Sequence, residues 1–197
     1  MAIEESDLKF NFDEETQAIK FDDRQFYRKF FNKMPSSKGV DILANSKDVI
    51  QFIEIKNCTG HERENMWRTS VNNSKLSSAP HSLDVEDRDS LDIEVAKKVA
   101  STITCLLGAW TKSEKSEYAL ELIEFWKGIA DSKIASDKKQ LLVILFLEGD
   151  FDTKSRSKKA IMKRLQESIN VKLSWLNCRV MVVDSNTYKE RYFKVSH

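Results

Sequence analysis

Three residues in the first third of the chain have types and spacing that suit chemistry on a phosphate. Asp41 lies within Gly39-Val40-Asp41-Ile42-Leu43, and Glu54 and Lys56 lie within Phe52-Ile53-Glu54-Ile55-Lys56. Glu54 and Lys56 are two apart, so on a strand both project from one face. Their neighbours are apolar, and an ionised group on a buried strand is costly unless it is paired or binds a cation. An antiparallel hairpin brings Asp41, at the start of the first strand, beside Glu54, near the end of its partner. Two carboxylates held together repel each other, and a divalent cation relieves the repulsion. Mg²⁺ suits such a site, with Mn²⁺ as a substitute, because it takes one or two carboxylates and fills its shell with water and phosphate oxygens. Lys56 then positions or helps deprotonate an attacking water and stabilises charge on the phosphate.

Asp41 followed by Glu54-Ile55-Lys56 resembles the PD-(D/E)XK nuclease superfamily, the fold of many restriction enzymes and Holliday-junction resolvases. The resemblance implies that Asp41 and Glu54 bind the metal, that Ile55 lends its backbone carbonyl, and that Lys56 is catalytic. It implies a restriction-endonuclease-like core of order αβββαβ over about residues 22–148. Val40 stands where the family often has proline, and only Pro35 to Lys38 are available for a strand between the first helix and Asp41. An N-terminal hairpin is expected to supply that strand. Many members add an acid near the first helix, for which Asp22, Asp23, Glu14 and Glu15 are candidates. The implied function is a metal-dependent endonuclease acting on DNA, with homodimerisation as a route to cutting both strands. The alternative is a catalytically inactive subunit that keeps the fold and binds partners in a larger assembly.

The elements that must position these residues read as α/β. Phe10, Phe12, Ile19 and Phe21 around residues 13–16 suggest the N-terminal hairpin. Phe26, Phe30 and Met34, four apart, suggest a helix over 22–34 that Pro35 stops. Two β-rich runs joined at Ser46-Lys47-Asp48 make a hairpin over 39–57. Residues 57–90, which include His61, Glu62, Glu64, Trp67 and Arg68, read as a long polar loop. Leu91, Val95, Val99 and Ile103 mark a buried helix over 91–110, with Glu94 and Lys98 as an ordinary pair four apart. Thr111 with Glu114 resembles a capping box for a helix over 115–130. Residues 140–148 form an almost continuous apolar run, as a central strand does, and 179–184 form another. The expected architecture is a central mixed sheet flanked by helices, one nuclease-like domain over 1–197, with a C-terminal α/β extension at 149–197.

Charge is nearly balanced over the 197 residues, 32 Lys+Arg against 31 Asp+Glu, so binding of a polyanion must come from a local patch. Residues 154–164 supply one, six cations with no acid, opening a helix on which Ile161, Leu165 and Ile169 are the buried stripe. Lys158, Lys159, Lys163 and Arg164 are the candidate contacts to nucleic-acid phosphates. Cys58, Cys105 and Cys178 are few and scattered, which argues against a disulfide framework or a zinc knuckle. No apolar run nears the ~20 residues that cross a bilayer. The expectation is a soluble, cytoplasmic protein with no membrane partner.

Overall fold

The structure is a computed structural model and describes residues 1–76 and 88–196. Five strands form the main sheet: β3 (Gln17–Lys20), β4 (Ile42–Asn45), β5 (Val49–Asn57), β6 (Gln140–Glu148) and β7 (Arg179–Val183), hydrogen-bonded in that order. β3, β4 and β5 pair antiparallel, whereas β5, β6 and β7 pair parallel, so the sheet is mixed. β6 is an interior strand between β5 and β7 and buries side chains on both faces, as its apolar run requires. The parallel crossovers use α3 (Leu91–Thr111) and α4 (Glu117–Ile129) before β6, and α6 (Lys158–Lys172) after it. The protein is mixed α/β.

The two faces of this sheet are covered differently. One packs Leu43, Phe52, Val143 and Leu145 against Val95, Val99, Leu122, Phe125 and Leu165 of the helices. The other packs Ile42, Ile53, Ile144 and Phe146 against a second sheet, made of β1 (Ala2–Glu5), β2 (Leu8–Asn11) and β8 (Lys194–Ser196). Phe10 meets Phe146 edge-on at 5.2 Å, and Phe193 meets Phe10 at 5.4 Å. Helices therefore do not flank both faces, and the C-terminal strand β8 joins the N-terminal hairpin rather than standing apart.

Four expectations are corrected. The N-terminal hairpin is β1–β2, turning at Ser6-Asp7 with φ of 53° and 62°, and not the pairing of 10–12 with 19–21. A turn with two left-handed residues matches the strand twist but usually advertises itself with glycine. β3 pairs with β4 instead, and so supplies the sheet strand missing before Asp41. The helix expected over 22–34 is only α1 (Gln25–Lys29) and a 3₁₀ turn at Phe31–Lys33; Phe30 and Met34 are exposed, and Phe26 and Tyr27 carry the burial. The stretch 57–90 holds α2 (Glu62–Arg68) and a 3₁₀ turn at Ser74–Leu76, while 77–87, with Ser77 to Pro80, lies outside the described residues. The first cap of α4 is Ser116, because Thr111 spends its hydroxyl on the Gly108 carbonyl at 2.9 Å. A short helix α5 (Ser132–Ala135) leads into β6. Among the described residues, no helix is long and apolar enough to cross a membrane.

Two local constraints hold α3 and the start of β4 in place. Asp92, wholly buried in the first turn of α3, accepts from Ser90 Oγ at 2.6 Å, Ser168 Oγ at 2.7 Å and the Asn72 N–H at 3.1 Å, and pairs with Lys172 at 2.7 Å. Burial pushes its carboxyl up, but Lys172 and the two serines outweigh that and hold it below the usual range. Replacing Asp92 with Asn should cost about 1.5–3 kcal/mol, the worth of hydrogen bonds to a charge. Because the folded pKa is depressed, this difference from wild type should be complete above about pH 4 and shrink as pH falls further. Urea unfolding of both proteins across that range reads it directly.

Gly39 lies where a Cβ would come within 2.4 Å of the fully buried Phe21 ring. Gly39→Ala should therefore destabilise by about 1–3 kcal/mol through overpacking, seen as a lower denaturation midpoint with an unchanged slope.

Candidate functional site

The β4–β5 register pairs Ile42 with Ile53, and one step further places Asp41 across from Glu54. Asp41 turns its carbonyl to β3, accepting from the Phe21 N–H at 2.9 Å, and its side-chain Oδ2 accepts from the Ile55 N–H at 2.7 Å. The N–H and carbonyl of one strand residue share an edge, so the Ile55 carbonyl faces the gap beside Asp41 that β4 leaves. Strand alternation puts Glu54 and Lys56 on the helical face with Phe52, while Ile53 and Ile55 join the opposite core. The hairpin thus brings together Asp41, Glu54, Ile55 and Lys56.

Lys98 of α3 completes the cluster. Its ammonium donates to Asp41 Oδ1 at 3.2 Å and to Glu54 Oε1 at 2.5 Å. The three side chains are 13%, 14% and 8% exposed for Lys98, Asp41 and Glu54, so these are largely desolvated charges. Glu54 Oε2 is buried and makes no hydrogen bond among the described residues. Burial, then the Asp41 charge, drives the Glu54 carboxyl well above its usual range, and burial also raises Asp41 against the pull of Lys98 and the Ile55 N–H. Burial alone would lower Lys98, but Glu54 and Asp41 together hold it above an ordinary lysine. With both carboxyls ionised, two carboxylates against one ammonium leave the cluster one negative charge in excess.

Lys98 is the residue that sequence reasoning missed. The expected Glu94–Lys98 pair gives way to two others: Glu94 binds the buried Arg68 from the end of α2, and Lys98 turns to the strands. One signal was available. Lys98 falls three residues after Val95 and four before Thr102, both fully buried, so it sits at the margin of the apolar stripe. Lys56 is half-buried, close enough to Arg68 and Glu94 to feel their charges, and makes no hydrogen bond or ion pair among the described residues; burial, then Arg68, lowers its pKa. Of the N-terminal acids, Asp22 lies close enough to feel Lys98 and keeps a buried, unpartnered Oδ1, whereas Glu14 and Glu15 sit in an exposed turn. Cys58, just past the site, is a free buried thiol that burial raises to about 11, which makes it no nucleophile.

The basic run opens α6, where Ser157 caps the helix. Lys158 is committed, donating to the Gly149 carbonyl at 2.7 Å and lying over the Phe151 ring. Lys159, Lys163 and Arg164 are exposed, with Lys163 3.8 Å from Glu167. None of the four joins the carboxylate cluster. Both lie toward the C-terminal ends of the parallel strands, where ligands of open α/β sheets bind.

A family profile, that of the family of unknown function DUF6661, matches residues 24–197. The chain belongs to DUF6661. No curated protein and no solved structure matches it. The match begins after β3 and covers Asp41, Glu54, Lys56, Lys98 and the whole of α6, so this DUF6661 chain carries its charged cluster inside the family region.

Removing Lys98 leaves two desolvated carboxylates facing each other. Lys98→Met should lose about 3–5 kcal/mol at neutral pH. The deficit should shrink on acidification, as the carboxyls protonate, and adding Asp41→Asn and Glu54→Gln should restore part of it. Denaturant unfolding of the single and triple variants separates this from simple loss of packing, which acid would not repair.

Proposed function

We propose that the chain is a metal-dependent endonuclease that hydrolyses DNA phosphodiester bonds, built on a restriction-endonuclease-like core of the PD-(D/E)XK kind. The observation that carries this reading is the convergence of Asp41 and Glu54 at a strand edge, buried, net negative and with one Glu54 oxygen unpartnered. That donor set fits a hard dication such as Mg²⁺ or Mn²⁺: one oxygen of Asp41, the Glu54 carboxylate, and the Ile55 carbonyl on the same edge. When bound, the ion supplies Lewis-acid stabilisation of charge on the phosphate.

The chain's own residues do the rest. The Ile55 N–H holds one oxygen of Asp41 and so turns the other toward Glu54. Lys98 keeps the carboxylates together and can withdraw on an unbranched stem. Lys56, on the same strand face as Glu54 and with its pKa lowered by burial, holds or moves a proton at the nucleophile and stabilises phosphate charge. Exposed Lys159, Lys163 and Arg164 at the opening of α6 are placed to contact flanking phosphates. Supporting the core assignment is the order of elements: the β4–β5 hairpin carrying the motif, then helix α3, then the parallel interior strand β6.

A second reading has its own support. Lys98 already bridges both carboxylates, as an internal cation does in a site that has given up turnover. On that reading the chain is a nuclease-fold binding subunit. Plasmid cleavage with Mg²⁺ or Mn²⁺ decides between them. The nuclease reading expects cleavage by wild type, a loss of about 10²–10⁴-fold in Lys56→Ala with fold and Mn²⁺ affinity kept, and loss of Mn²⁺ binding by calorimetry in Asp41→Ala. Full activity in Lys56→Ala, or Mn²⁺ binding unchanged in Asp41→Ala, would overturn it.

A further inference from the structure

The cluster of Asp41 and Glu54 opens, through Lys98, onto a cleft of about 340 Å³ between α3, the end of α2 and the segments around residues 36–38 and 74–75. Its described lining carries six cations, Lys38, Arg68, Lys75, Arg88, Lys97 and Lys98, against two acids, Asp89 and Glu94. Both acids are already engaged. Asp89 pairs with Lys97 at 2.6 Å and accepts from the Lys75 N–H at 3.1 Å, and Glu94 is bound to Arg68. Lys38 and Lys75 are exposed, and their ammonium groups have no partner among the described residues. Arg68 is buried in the wall and keeps an unpartnered Nε–H. The clefts elsewhere differ: that under β1 and β2 mixes Glu4, Glu5 and Asp7 with two lysines, and that near Asp13, Asp48 and Asp137 is likewise mixed. A chain of formal charge +1 thus gathers six cations against two acids, an excess of four, beside its carboxylate cluster.

The chemistry of the lining narrows the ligand. The remaining described residues are Ser36 and Ser74, with no aromatic ring to stack a base and no Asn or Gln to pair with an adenine edge. Lysine and arginine groups with small hydroxyls are what a phosphodiester backbone needs. We infer that this cleft is the groove that holds the nucleic-acid backbone next to Asp41 and Glu54, through Lys38 and Lys75 above all, and that it does so without reading sequence. The inference rests on the nuclease reading for its substrate. It adds a binding surface on the α3 side of α2, apart from the α6 opening.

The test is fluorescence anisotropy of two labelled DNA duplexes of unrelated sequence in EDTA, so that binding is read without cleavage, over a salt series. Wild type should bind both duplexes equally. Lys38→Gln with Lys75→Gln should bind more weakly and show a log–log salt slope smaller in magnitude by about two units, one for each lost phosphate contact. Melting temperature and Mn²⁺ affinity of that variant should equal wild type. An unchanged slope, a marked preference for one duplex, or no binding by wild type would each overturn the groove, as would a slope that flattens only in Lys159→Gln with Lys163→Gln. The two proposals fail separately. A groove that binds as expected in a protein that cannot cleave leaves the binding surface standing and removes the nuclease. Cleavage by wild type with an unchanged slope in the double variant does the reverse.

Discussion

Three charges in a place nearly without water set the terms for the rest of this fold. Asp41 and Glu54 lie across from each other where β4 begins, and Lys98 reaches both from α3. In bulk water an ion pair of this kind is worth little, but desolvated charges left uncompensated are costly. α3 must therefore approach the hairpin at a fixed height, with Lys98 level with the start of β4. The surrounding polar contacts serve that placement. Asp92 ties the first turn of α3 to α6 and to the chain near Asn72, and Glu94 ties the same turn to α2 through Arg68. Three residues in the first two turns of α3 (Asp92, Glu94, Lys98) are spent on locating one helix.

The two faces of the main sheet divide the labour. The face against β1, β2 and β8 is filled by aromatic contacts, with Phe10, Phe146 and Phe193 meeting edge-on and Tyr188 stacked on Phe193 at 5.7 Å. Such packing leaves little room for water or for polar groups. The helical face carries every buried charge of the cluster because long crossovers there deliver side chains from several segments to the C-terminal end of β5. Glu54 and Lys56 project onto that face and not the other for a simple reason of parity: they share the phase of Phe52.

How much of this was legible in the sequence depends on the range of the interaction. The hairpin over 39–57 and the facing of Asp41 and Glu54 follow from period-two alternation and one short turn, both local, and the structure has them. The central strand at 140–148 and the buried stripe of α6 are equally local signals. What failed was non-local or lacked its usual marker. The Ser6-Asp7 turn is left-handed without a glycine, so Phe10 and Phe12 were assigned to the wrong partner strand. The length of α1 was overread because Phe30 and Met34 fit a helical period while lying exposed. Lys98 was read against its nearest helical neighbour, Glu94, whereas its partners are 57 and 44 residues away in sequence. Helical spacing says which residues can pair locally; it cannot say which of them a buried acid on another element will claim.

Net charge misleads for a related reason. It sums over the surface, whereas a phosphate feels charges within a Debye length, about 8 Å at physiological ionic strength. Three acids near the N-terminus, Glu4, Glu5 and Asp7, lie on the β1–β2 hairpin, where Glu5 is spent on Lys20 at 2.6 Å. The cations beside α3 line a concave wall, and low-dielectric walls concentrate their field in the cleft. At the foot of that wall the balance reverses, because Lys98 meets two carboxylates and leaves one negative charge over. On the proposed reading, a polyanion drawn to the rim by cations is brought to a pocket that itself lacks positive charge. Attraction at the rim and a deficit at the base are the arrangement in which a small dication and a phosphate reinforce each other, since each supplies the charge that the other's position lacks.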